Sequence, residues 1–144
     1  MARLEFEGID ELSQALERCK NIPWDEKSRA LTSMGQVAAA KIKASGEAMG
    51  VRDRESSAHI LDKIKVQKPK ETKDGGYVNI TFSGSRTRGR TRTSNSAIAF
   101  ENEFGNRHQS DRPFVGKAMS QNEGAILEPG IEILGDWIEK EFEK

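Results

Sequence analysis

The residues in this chain whose chemistry could reach beyond folding are two histidines, one cysteine, a close pair of glutamates and a run of alternating arginines. His59 and His108 sit in polar segments, and neither falls in an HxxxH or HExxH spacing that would put two imidazoles on one helix face. Cys19 is the single cysteine, so no intrachain disulfide can form and no metal site can rest on paired thiolates. It falls in an apparent helix, where a thiol behaves as a small, half-buried hydrophobe. There is no GxxxxGK[ST] run and no strand-GxGxxG-helix unit, so no phosphate-cradling loop is expected. With no nucleophile, base and orienting group in evident combination, the expectation is a protein without catalysis, metal or cofactor.

Glu101 and Glu103 stand two apart in Ala97-Ile-Ala-Phe-Glu-Asn-Glu-Phe-Gly105, a segment whose alternation predicts a strand ending at the glycine. On a strand both carboxylates face the same side. They could share acid/base work, or meet arginines of a neighbouring chain, and the nearby supply of arginine favours the second. Arg86, Arg88, Arg90 and Arg92 alternate with small residues, so an extended tract would set four guanidinium groups along one edge, about 7 Å apart. That is a possible reader of a phosphate backbone, blind to sequence because no aromatic residue interleaves it. Two other readings compete: an arm that orders on an acidic protein surface, which the tract's length favours, or an ordinary solvated loop.

The elements that must position these groups belong to a chain of 144 residues, 35 % hydrophobic and 32 % charged, which predicts a modest core in a single domain over 1–144. No apolar run approaches the roughly 18 residues of a membrane helix, and no signal-peptide core opens the chain, so no membrane contact is expected. The net charge is zero but unevenly spread. Residues 1–40 hold five basic and seven acidic side chains, residues 41–95 thirteen against six, and residues 96–144 five against ten. A basic and an acidic face on one molecule would allow head-to-tail docking of copies.

Along the chain, Leu4 and Phe6 predict a short opening strand, and Asp10 can cap a helix carrying Leu12, Leu16 and Cys19. Pro23 breaks that helix, and a longer one is expected from about Asp25 to Met49, with Gly46 loosening it and Gly50 ending it. Residues 51–60 read as a flexible arm, followed by a turn and a strand near 64–67. Lys73-Asp-Gly-Gly predicts a hairpin, with Val78, Ile80 and Phe82 on one face of the return strand. Residues 83–95 read as a second flexible arm, because loops longer than about a dozen residues are functional or disordered. Asp111 can cap a helix beginning Arg112-Pro113-Phe114. A last helix carries Ile126, Ile131, Leu134, Trp137, Ile138 and Phe142, with Pro129-Gly130 expected to kink or restart it. The order predicts an α+β fold: a small antiparallel sheet of about three or four strands packed on helices, with a long N-terminal and a C-terminal helix and two long flexible loops.

The segments Glu103-Phe104-Gly105 and Arg112-Pro113-Phe114-Val-Gly-Lys-Ala118, with the opening Leu4-Glu-Phe-Glu-Gly-Ile-Asp-Glu-Leu12, resemble the tail-completion or head–tail joining proteins of long-tailed bacteriophages. Asn106 stands where that family commonly has threonine after the glycine, and Glu55-Ser-Ser-Ala-His-Ile-Leu61 replaces the usual Thr-Gly-x-Leu before the hairpin. The resemblance implies a virion structural protein at the head–tail junction, present in the bacterial host cytoplasm during assembly. It implies a homo-oligomer, as a six-fold ring, contacting the head connector, adaptor or stopper proteins and the tail tube or tail terminator, with packaged DNA nearby. In that setting Gly105 stops an element sharply, Phe104 and Phe114 pack inward to close the loop, and Glu101, Glu103, Arg52 and Arg54 are candidates for the subunit interface.

Overall fold

The computed structural model describes residues 13, 14, 16, 17, 20–51, 59–73 and 75–143, with residue 88 described by its backbone alone. The opening strand with Leu4 and Phe6, the cap at Asp10, Leu12, Cys19, and Arg52 and Arg54 lie outside them. The fold is α+β, with helices and antiparallel strand pairs packed together.

Helix α1 spans Trp24–Ala48, close to the expected bounds, and begins directly after Pro23 with Asp25 and Glu26 in its first turn, where negative charge complements the helix dipole. It ends in a Schellman cap. Gly50 adopts φ +73°, Val51 N–H donates to Gly46 O at 2.9 Å, and Gly50 N–H donates to Glu47 O at 3.2 Å. Val51 is thereby turned into the core.

A 3-10 turn at Ile60–Lys63 leads into one long hairpin, as the sequence predicts. Strand β1 (Ile64–Val66) pairs with β4 (Ile80–Phe82), and β2 (Lys70–Thr72) pairs with β3 (Gly75–Tyr77) across the glycine turn. Ile64, Ile80 and Phe82 pack against the core, and Gly76 lies flat on Trp24, where a Cβ would stand 2.7 Å from Cζ3.

The structure departs from the expected course in two segments. The 83–95 tract, expected as a flexible arm, forms a third antiparallel pair, β5 (Ser85–Arg88) with β6 (Thr91–Ser94), turning at Gly89 with φ +62°. Alternating Thr and Arg suit a paired strand, and a glycine free to take positive φ supplies the turn. The segment expected as a third strand of the main sheet is helix α2, Asn95–Phe104. Ser94 caps it by accepting from Ala97 N–H at 3.1 Å, and Asn95, Ala99 and Asn102 recur at helical spacing on its buried face.

Helix α3 (Phe114–Gln121) and helix α4 (Glu123–Phe142) complete the chain. The break falls at Asn122, and Pro129 is accommodated inside α4 without a restart. Ile126 and Gly130 are buried, with Gly130 pressed onto Met34 of α1, whereas Ile131 and Phe142 of the expected apolar stripe are exposed. Leu16 is likewise exposed. The core gathers Ile42, Leu61, Ala99, Phe114 and Ala118, with Phe114 at 0 % exposure and its ring edge-on to Phe82 at 5.8 Å.

Helix α1 approaches this core through Gly46, where a Cβ would meet Leu61 Cδ2 at 2.5 Å and Phe114 Cδ2 at 3.2 Å. Both neighbours are buried and cannot swing away. Gly46→Ala is expected to destabilise the protein by about 1–3 kcal/mol through overpacking, while Gly75→Ala, with nothing within 4 Å of its Cβ position, should change stability by less than about 1 kcal/mol. Urea denaturation of the two variants measures the contrast.

Candidate functional site

The segment that carries the family resemblance folds as one interlocked corner. Helix α2 ends at Gly105, whose φ of +76° and close contacts leave no room for a side chain: a Cβ would lie 2.8 Å from Asp111 N. A short loop follows, in which Asn106 and Gln109 pair and Asn106 Oδ1 accepts from His108 N–H at 2.8 Å. Arg112 then ties the loop down. Its backbone N–H donates to Asn102 O, and its guanidinium donates to Gly50 O at 2.9 Å, the carbonyl just past the end of α1. Pro113 precedes Phe114, which enters the core.

Helix α3 needs acceptors for its first N–H groups, and they come from across the corner. Glu103 Oε2 accepts from Val115 N–H at 2.8 Å, and Glu103 Oε1 accepts from Gly116 N–H at 2.8 Å. Gly116 permits this approach, since a Cβ there would stand 3.0 Å from Oε1. The expected cap, Asp111, is exposed, and α3 begins at Phe114 rather than Arg112. Asn102, buried on α2, completes the corner by donating to Ile98 O and accepting from Gln109 Nε2 at 3.0 Å.

The helical course of α2 changes the roles of four residues. Glu101 and Glu103 no longer share a side; Glu101 is exposed and Glu103 is engaged as the cap. Phe104, expected to pack inward beside Phe114, is 66 % exposed, and Phe100 is 63 % exposed. Four residues apart on a helix, their rings touch in a tilted arrangement, with centroids at 4.7 Å and planes 49° apart. They border an open groove of about 360 Å³ lined by Phe82, Ser96, Ala99, Phe100, Glu103, Phe104, Val115 and Gly116.

The arginine tract does not present one row of four. In the β5–β6 ladder, positions 86 and 88 lie opposite Thr93 and Thr91, while Arg92 lies opposite Thr87 on the other face. Arg92 Nε donates to Ser85 Oγ at 2.7 Å, and Arg90 sits exposed in the turn. A hairpin turn inside a period-two run reverses which face each later arginine takes. His59 is buried at the start of the 3-10 turn, not in a polar loop, whereas His108 is exposed. Among the described residues no group of three or more His, Cys, Asp or Glu side chains could hold a metal ion. No helix of these residues is long and apolar enough to cross a membrane.

Sequence reading missed Asn102 and the capping role of Glu103. The one signal that pointed to them is Ser94-Asn-Ser-Ala97, a helix-start pattern that would have turned the segment from strand to helix. No family model, no curated protein and no solved structure matches the chain.

Glu103→Ala removes two acceptors from the start of α3 and is expected to destabilise the protein by about 1–2 kcal/mol. Glu103→Gln keeps one acceptor and loses the charge–dipole part, about 0.3–1 kcal/mol. Glu101→Ala should stay within about 0.5 kcal/mol of the parent. Thermal melting of the three variants separates the cap from the exposed neighbour.

Proposed function

We propose that this chain is a structural component of a tailed-phage virion that completes the tail end and joins it to the DNA-filled head, without catalysis. The reading rests on the resemblance carried by Glu103-Phe104-Gly105 and Arg112-Pro113-Phe114. The observation that favours it is the outward pair Phe100 and Phe104, set on that same corner beside an apolar groove. An exposed pair of touching aromatic rings in a chain that is 32 % charged is a mark of a protein contact.

Glu101 is exposed on the same helix, and Arg90 and Arg92 are exposed on the preceding hairpin. In the proposed assembly the arginine hairpin of one copy meets Glu101 and the phenylalanine faces of the next. A guanidinium there gains both a carboxylate and a ring face. Such a contact is heterologous and closes a ring when the rotation between copies divides a full turn, and the family resemblance implies six copies. The ring would dock on the head connector on one side and the tail tube or terminator on the other.

The test is electron microscopy of lysates from a phage or induced prophage lacking this gene, complemented from a plasmid. DNA-filled heads lying beside separate tails are expected without complementation, and joined particles with the parent gene. A Phe104→Asp copy should leave heads and tails apart although the purified variant melts like the parent. Normal infectious particles from the deletion would remove the proposal.

A further inference from the structure

The long hairpin has two faces, and the register of its two ladders assigns the paired residues to one or the other. Ile64, Ile80 and Phe82 pack on the core, Val66 and Val78 lie against Gly35, and Gly76 lies on Trp24. Alternation turns the intervening residues the other way. Lys65 stands opposite Thr81, Gln67 N–H donates to Asn79 O at 2.8 Å, and Lys70 stands opposite Tyr77. Lys65, Gln67, Lys70, Tyr77 and Asn79 are exposed, with Tyr77 at 44 %. Gln67 Nε2 donates to Thr81 Oγ1 at 2.9 Å, which fixes the middle of this face.

The described acids nearby lie off it. Glu71 stands opposite Gly76 and so belongs to the Trp24 side, and Asp62 is bridged to Lys43 at 3.1 Å. Among the described residues the outer face therefore carries lysine, amide, hydroxyl and one phenol, and no carboxylate. Lys63, Lys68 and Lys73, outside the paired strands, are also exposed.

We propose that this face binds nucleic acid through its phosphodiester backbone, without sequence preference. A protein-docking face carries an apolar centre and is depleted in lysine, whereas nucleic-acid interfaces are polar and strongly positive. The hairpin face has the second character. It offers Lys65 and Lys70, with three more exposed lysines next to them in the chain, amide and hydroxyl donors between, and a single aromatic ring opposite Lys70, which can stack one unpaired base or donate its hydroxyl to a phosphate. The surface is distinct from the aromatic corner on α2 and stands whether or not the chain is a virion component.

The test is fluorescence anisotropy of the purified full chain with a labelled duplex of about 20 base pairs and with a single strand of equal length, between about 50 and 200 mM salt. Binding that weakens steeply with salt is expected. Lys65→Glu/Lys70→Glu should weaken it at least about tenfold and lower the log–log salt slope by about 2, since each neutralised phosphate contributes about 0.9. Arg90→Glu/Arg92→Glu should leave binding within about twofold, because those arginines belong to another hairpin. Weakening by Tyr77→Ala on the single strand alone would identify unpaired nucleic acid as the source of the phosphates, and no change would identify the duplex. Circular dichroism and melting confirm that each variant is folded. Absence of binding at the lowest salt, unchanged binding by the double lysine variant, or equally tight binding of polyglutamate would overturn the proposal, the last pointing to an acidic protein instead.

Discussion

Two backbone N–H groups at the start of α3 aim at the carboxylate of Glu103, and the geometry of the C-terminal half depends on that pair of bonds. The donors have no intrahelical acceptors, so an anion placed there satisfies orphan groups and the helix dipole together. Once Glu103 is held, α2 and α3 meet at a fixed corner and Phe114 enters the core at the first residue of α3, beneath Phe82. The same constraint sets the outward residues. Ala99 and Glu103, four apart, face α3, so Phe100 and Phe104, each about 100° further round the helix, must leave the core. The exposed aromatic pair is thus a geometric consequence of the cap.

The other half of the fold is organised by close approach to α1. Gly35 lets Val66 of β1 touch the helix backbone, Gly46 lets Leu61 and Phe114 do so, and Gly130 of α4 rests on Met34. A chain with few large apolar residues gains dispersion contact in this way, by bringing backbones together where larger side chains would hold them apart. On α4 this selects a narrow buried stripe through Ile126 and Gly130 and leaves Leu127 and Ile131, one position on, in solvent.

How much of this was legible in the sequence depends on whether the deciding signal was local. Helix α1 was readable because its stop, Gly50, and its start after Pro23 are written in single residues. The Lys73-Asp74-Gly75-Gly76 turn likewise announced the long hairpin and the inward face of Val78, Ile80 and Phe82. The segment 97–104 misled because Ile98 and Phe100 imitate a strand's alternation, while the contacts that make it helical are the Ser94 cap and burial of Ala99 and Asn102 against distant residues. Glu103 could not be read as a cap, since its acceptor role depends on N–H groups twelve and thirteen residues away. The arginine run misled for another reason. Its composition was correctly seen, but one positive-φ glycine, Gly89, folds it back and divides its faces.

The same topology explains how a chain of zero net charge can carry a locally cationic face. Glu123, Glu128, Glu132, Asp136, Glu139, Glu141 and Glu143 lie on or at the end of α4, against a single basic residue within that helix, Lys140. Helix α1 packs against α4 and also against β1 and β3, so it lies between the acids and the lysines of the hairpin. A helix with its side chains is about 10–12 Å across. At physiological ionic strength the Debye length is about 8 Å, so exposed charges separated by the thickness of a helix act largely independently. An anion arriving at Lys65 and Lys70 therefore experiences the hairpin rather than the sum over the molecule. The charge segregation along the sequence becomes, through the placement of one helix, a segregation in space.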